Sequence, residues 1–163
     1  MDARQCVYVN TSVVIRALNP EEPSHRGAQQ IIEDCCTRCQ CIYSSVHAHE
    51  MPSRRFDELA KYLNRLGARY AIVDVETIEA QAIEIVKAWN LTESRIPDIM
   101  HMLAAKMLGC RYLLARDRFM WRHAFNFGLA YVNWETHGGK CPCSSVNPSA
   151  SGRAGISKSG GRS

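Results

Sequence analysis

Apolar and polar positions alternate along this chain in two rhythms. Short apolar runs at residues 7–9, 41–43, 70–75, 111–115 and 129–132 read as buried strands. Between them, apolar residues recur three and four positions apart, the spacing of one buried helix face. Val13 to Ile15 open a short helix after the first strand. Ala28, Ile31, Ile32 and Cys35 mark the inner face of a helix over 25–39 that Ser24 can cap. Ser44 and Ser45 precede a helix carrying Val46, Glu50 and Met51, which Pro52 interrupts. Leu59, Tyr62 and Leu63 continue the helical rhythm over 56–66, and Gly67 stops it. Thr77 caps a further helix from Ile78 to Trp89, with Ile78, Ala82, Ile85 and Val86 inward. A short amphipathic helix over 118–127 precedes the last strand. The order is β-α-α-β-α-α-β-α-α-β-α-β. Such alternation predicts an α/β domain, a parallel sheet of about five strands with helices on both faces. From about His137 the chain turns to Gly, Ser and Pro, too poor in large apolar residues to pack. Residues 1–136 are therefore the expected domain and 137–163 an expected disordered tail.

The stretch over 97–117 carries the first chemical signal. Met100, Leu103, Ala104, Met107 and Leu108 give residues 97–108 one buried helix face. Pro97 suits the first turn, where its missing N–H costs nothing, and Gly109 suits the end. Asp98 starts this helix, and Asp117 leaves the strand that follows. Open parallel sheets place ligands at such strand ends, and a helix start tolerates anions nearby. Two acids brought together there repel unless a cation lies between them. A hard divalent ion held by oxygen fits that need. The plainer alternative makes Asp98 a first-turn helix charge and Asp117 a turn residue.

Composition narrows the setting. No apolar run in the 163 residues approaches the ~18 needed to cross a bilayer. The opening MDARQC has no apolar signal region, so a cytoplasmic location without a membrane is expected. A net charge of +4 is compatible with a polyanionic partner. The 8 cysteines are unusual for such a chain, since an ordinary cytosol keeps thiols reduced and hyperthermophile proteins are the exception. Cys36 and Cys39, with Cys141 and Cys143, offer four thiolates to zinc. Alternatively, Cys6, Cys41 and Cys110 precede or begin strands, which puts them on one sheet edge where a disulfide would staple neighbours.

Four segments together resemble a known family. They are VYVNTSVVI over 7–15, SSVHAHEM over 44–51, the 97–117 stretch, and the final strand ending at Trp134. Their order and spacing resemble a PIN domain, and within it the compact VapC-type toxin nucleases, across residues 6–134. The resemblance implies a parallel α/β fold whose acids converge on Mg²⁺ or Mn²⁺ and hydrolyse RNA. Position by position, the family's four acids fall on Asn10, Glu50, Asp98 and Asp117, and its supporting hydroxyl on Thr11, with Ser12 beside it. It also implies a homodimer and a small antitoxin protein as partner. Two positions depart from it: asparagine replaces the first acid, and Ala115 replaces the hydroxyl residue two before the last. Asn10 leaves three carboxylates instead of four, which predicts weaker metal binding.

Asp98 and Asn10 are the expected direct ligands, with Glu50 and Asp117 binding metal or holding its waters. Arg16, Arg54, Arg118 and Arg122 are the expected RNA contacts, from a set that includes Arg55, Arg95 and Arg116. His47 shares a helix face with Glu50 and reads as surface or groove lining rather than a zinc ligand. The rival to an active nuclease is a PIN scaffold that binds RNA or protein without turnover. A phosphotransferase with an acidic Mg²⁺ site fits less well, because Asn10 stands where its strand-end aspartate belongs.

Overall fold

The computed structural model describes residues 5–134 and 140–142. In chain order the elements are β1 (Cys6–Val9), α1 (Thr11–Leu18), α2 (His25–Arg38), β2 (Gln40–Ser44), α3 (Ser45–Glu50), α4 (Ser53–Arg65), β3 (Arg69–Ala71), α5 (Val75–Ala88), α6 (Ile96–Met107), β4 (Tyr112–Leu114), α7 (Arg118–His123) and β5 (Ala130–Val132). Short 3-10 turns lie at Glu93–Arg95 and Ala124–Phe127. The 5 strands form one all-parallel sheet in the order β3-β2-β1-β4-β5. Parallel neighbours need crossover connections, which the helices supply.

Side-chain alternation divides the interior between the two sheet faces. Val7, Val9, Tyr43, Leu114 and Val132 pack with α1, α2 and α4. Tyr8, Ile42 and Leu113 pack with α5 and α6. Gly109 has φ 74° at the end of α6, a left-handed turn that glycine adopts without strain. Among the described residues, no helix is long and apolar enough to cross a membrane.

The expectations for the third strand, the α5 cap and Met107 need correction. The third strand stops at Ala71, and Ile72 is 83 % exposed. Asp74 ends that run by capping α5, accepting the Thr77 backbone N–H at 3.2 Å and the Thr77 hydroxyl at 2.8 Å. Thr77 therefore lies inside the helix rather than capping it. Met107 ends α6 and is 55 % exposed, so it leaves the buried stripe. Of the Gly/Ser-rich tail, residues 140–142 are described, and there Cys141 is buried with its N–H donated to Asp34. The rest of that tail lies outside the described residues.

Cys6 and Cys110 form a disulfide with Cα atoms 4.5 Å apart. It joins the start of β1 to the entry of β4, on the edge that the topology picked out. Cys41 lies beside Val7 in register on that edge and is a free thiol.

Candidate functional site

All strands run parallel, so their C-terminal ends share the opposite edge. The chain winds from central β1 to β2 and β3 on one side, and β4 and β5 lie on the other. The reversal opens a crevice between the ends of β1 and β4, the usual ligand position in such sheets. Asn10 follows β1, and its N–H donates to the Leu114 carbonyl at 2.8 Å. It is buried and caps α1: Oδ1 accepts the Ser12 N–H at 3.0 Å and the Ser12 hydroxyl at 2.7 Å. The Ser12 hydroxyl in turn accepts the Arg116 N–H at 2.9 Å, tying α1 to the turn after β4. An amide nitrogen cannot accept from an N–H, so Asn10 is fixed in this orientation. Both lone pairs of Oδ1 are engaged, and the group left over is an N–H₂ donor.

Glu50 ends α3 and is held from two sides. Its Oε1 accepts the Thr11 hydroxyl at 2.9 Å and lies 2.8 Å from His101 Nε2. His101 is fully buried, and its Nδ1 is 2.9 Å from the Tyr8 hydroxyl. Tyr8 Oη is 2.8 Å from Ser44 Oγ, which accepts the Val46 N–H as the cap of α3. The Glu50 carboxylate can only accept, so His101 donates from Nε2, and the tautomer with a single N–H leaves Nδ1 as an acceptor. Nδ1 then accepts from Tyr8, and Tyr8 accepts from Ser44. The bonds form one directed chain from the α3 cap through the interior to Glu50. Burial pushes the Glu50 carboxyl up, but the bonds from His101 and Thr11 outweigh it and hold the group below the usual range. Burial pushes the Tyr8 hydroxyl far up, so it stays protonated. Glu50 also lines a cavity of about 220 Å³ with Val46, His49 and Met100.

Asp98 lies in the first turn of α6, one turn before His101. Its carboxyl is pushed up to about 6, first by burial and then by the charge of Asp117. Arg95, 3.5 Å away, and His101 pull it back only in part. Asp117 caps α7 by accepting the Met120 N–H on Oδ1 at 3.0 Å. Its own N–H donates to the Tyr131 hydroxyl at 3.0 Å, which donates to the Ala115 carbonyl at 2.9 Å. Trp134 Nε1 donates to the same carbonyl at 3.0 Å. Ala115 thus anchors the turn through its backbone, although it lacks a hydroxyl. Glu50 Oε2 and Asp117 Oδ2 accept no hydrogen bond from any described residue.

The fold therefore gathers Asn10, Thr11, Ser12, Glu50, Asp98 and Asp117 at one edge. Among the described residues, no three His, Cys, Asp or Glu side chains are grouped as a complete metal cage. Arg16 is committed elsewhere: Nη1 donates to the Ser12 carbonyl at 3.2 Å, and Nε lies 3.9 Å from Glu22. Arg54 is exposed on α4, with no described contact to the crevice. Arg118 and Arg122 are exposed on α7, immediately after Asp117. His47 is a correction: it is fully buried, not surface or groove lining. It accepts the Ser44 N–H at 3.1 Å on Nδ1 and sits 2.7 Å from the Val9 carbonyl through Nε2. Burial, reinforced by His101, pushes its ring down to about 3, so it stays neutral. The four-thiolate zinc idea includes Cys143, which lies outside the described residues, and Cys39 is disulfide-bonded. Sequence reasoning missed Tyr8, Ser44, His101 and Tyr131 as supports. The available signal was His101, three residues after Asp98 and thus on its side of the helix.

The site defines this protein as an α/β domain with an acidic crevice at its topological switch point. Compared with known proteins, the chain matches no family model, no curated protein and no solved structure.

Proposed function

We propose that this crevice hydrolyses RNA phosphodiester bonds with Mg²⁺ or Mn²⁺, as a PIN-type endoribonuclease. One observation carries the reading: Asp98 in the first turn of α6 and Asp117 after β4 face the same sheet edge, and burial, then the charge of Asp117, pushes Asp98 up to about 6. Arg95, 3.5 Å from Asp98, offsets this only in part, and a hard dication that keeps most of its waters fits the pair. Asp98 and Asp117 would hold the ion, and Glu50 Oε2 would hold it or one of its waters. When bound, the ion supplies the charge that acidifies water and neutralises phosphoryl oxygens. The chain's own residues supply geometry. His101 and Thr11 fix the Glu50 carboxylate in its ionised form, ready to orient a water and accept its proton. Asn10 and Ser12 fix the turns that carry Thr11 and Asp117. The role that best fits the family resemblance is a cytoplasmic VapC-type toxin, a homodimer restrained by a small antitoxin.

A second reading is favoured by Asn10, whose oxygen is saturated and whose free group is a donor. It makes the protein a PIN scaffold that binds RNA without turnover. RNA cleavage in Mg²⁺ or Mn²⁺, comparing the parent with Asn10→Asp and Asp98→Ala, separates the two. Cleavage by the parent that rises in Asn10→Asp and disappears in Asp98→Ala supports the nuclease. RNA binding with no cleavage by the parent or Asn10→Asp supports the scaffold.

A further inference from the structure

Helix α7 and the 3-10 turn that follows it carry more exposed aromatic surface than folding requires. Arg118, Trp121 and Arg122 lie at i, i+3 and i+4 on one exposed face of α7, and exposed Phe125 follows in the 3-10 turn Ala124–Phe127. Trp121 is 57 % exposed and Phe125 86 % exposed, whereas Met120, Ala124 and Phe127 are buried on the other side. No ion pair, hydrogen bond or ring contact among the described residues engages these four side chains. The helix beneath them is firmly seated. Arg95 lies 4.5 Å over the Phe119 ring, Phe119 is 4.4 Å from the His123 ring, and Trp89 stacks on His123 at 5.5 Å. The stripe starts one residue after Asp117.

We propose that this stripe is a stacking platform for single-stranded RNA passing through the acidic crevice. The inference rests on the reading of the crevice as an RNA site. Any base offers a flat π-face to Trp121 and Phe125, and the two guanidinium forks meet the phosphates between bases. A duplex keeps its bases stacked on each other and gives the aromatic rings nothing to hold. A second copy of this chain fits poorly, because a two-fold contact centred on the stripe would gather four arginines in one patch.

The test is fluorescence anisotropy with a labelled 12-residue oligouridine and the full chain in EDTA, alongside cleavage by the parent in Mg²⁺ and Mn²⁺. Trp121→Ala and Phe125→Ala are each expected to weaken binding about 5-fold or more, and Trp121→Phe to stay within about 2-fold. Exposed positions leave folding intact, checked by unchanged circular dichroism. A duplex probe is expected to bind more weakly and to ignore Trp121→Ala. Unchanged oligouridine binding in both alanine variants overturns the platform, even where the parent cleaves RNA. Aromatic-dependent binding without cleavage supports the platform and counts against the nuclease. A parent that neither binds nor cleaves removes both ideas. Loss of a dimer in Trp121→Ala with RNA affinity intact assigns the stripe to a second copy and overturns the proposal.

Discussion

At one edge of the sheet, Cys6 and Cys110 close a covalent bond between neighbouring strands. At the other edge of the same strands, Asp98 is half-buried and feels the charge of Asp117, and both push its carboxyl up. The first edge lowers the freedom of the unfolded chain and touches no chemistry. The second holds groups that burial and like charge make unfavourable. A parallel sheet lets one domain do both, because its two edges lie apart and share only the strands between them. The comparison predicts that damage at one edge reads out as stability and damage at the other as activity.

The largest expected effect breaks the covalent edge. The disulfide closes a loop with a sequence separation of 104 residues. Removing it with Cys6→Ser and Cys110→Ser is expected to cost roughly 3–5 kcal/mol in denaturant melts. Reductant should cost the parent at least that much and the double variant less, since among the described residues the double variant keeps only the disulfide at Cys39. Cleavage per folded molecule should stay as in the parent. A variant that melts with the parent but cleaves poorly would erase the distinction between the edges.

A smaller effect targets the polar chain at the crevice edge. His101→Ala strips Glu50 of a donor and leaves the buried Tyr8 hydroxyl without its acceptor. An unmade bond in such a place costs about 1–3 kcal/mol. Cleavage should fall by about 10–100-fold, as for a lost proton-transfer geometry. His101→Gln keeps an N–H for Glu50 and an oxygen for Tyr8, so it should recover part of both. Equal cleavage by the alanine and glutamine variants would show that the chain does not position Glu50.

Much of this fold was legible because each element announces itself locally. The strands are apolar runs, and Ser44 and Gly109 sit where caps and stops belong. Asp98 and Asp117 stood out because strand ends and helix starts are readable positions. The polar chain was hidden for a physical reason: Tyr8 and His101 are 93 residues apart and meet only when β1 packs beneath α6. Tyr8 inside an apolar strand and His101 inside an apolar stripe look like packing residues, and each is one, except at its polar tip. His47 misled for a related reason. Its helical spacing to Glu50 suggested a shared face, but its ring turns back to close the capping box at Ser44. Asp74 rather than Thr77 caps α5 because the aspartate side chain captures both the backbone and the hydroxyl of Thr77.

The smallest effect compares two buried groups that titrate in opposite senses. Asp98 has its folded value raised from 3.8 to about 6, so the folded state holds a proton that the unfolded state has released. Stability from this group is present below pH about 4 and is lost as pH rises towards 6. His47 has its folded value lowered from 6.5 to about 3, so the unfolded state takes up a proton first. Its contribution is present above pH about 6.5 and is lost as pH falls. Between about pH 5 and 6, above the range where Glu50 takes up its proton, the two slopes oppose each other, and the parent's stability should be nearly flat. Asp98→Asn removes one of them. Its stability should then fall on acidification by about 1.4 kcal/mol per pH unit, the slope of a single proton. Binding of Mg²⁺ to the parent should weaken over the same window, because Asp98 must release its proton to meet the ion. Denaturant melts at several pH values, with calorimetric Mg²⁺ titrations beside them, check both. A steep slope already present in the parent would mean that neither burial nor Asp117 raises Asp98, and the argument for a metal from its raised value would be gone.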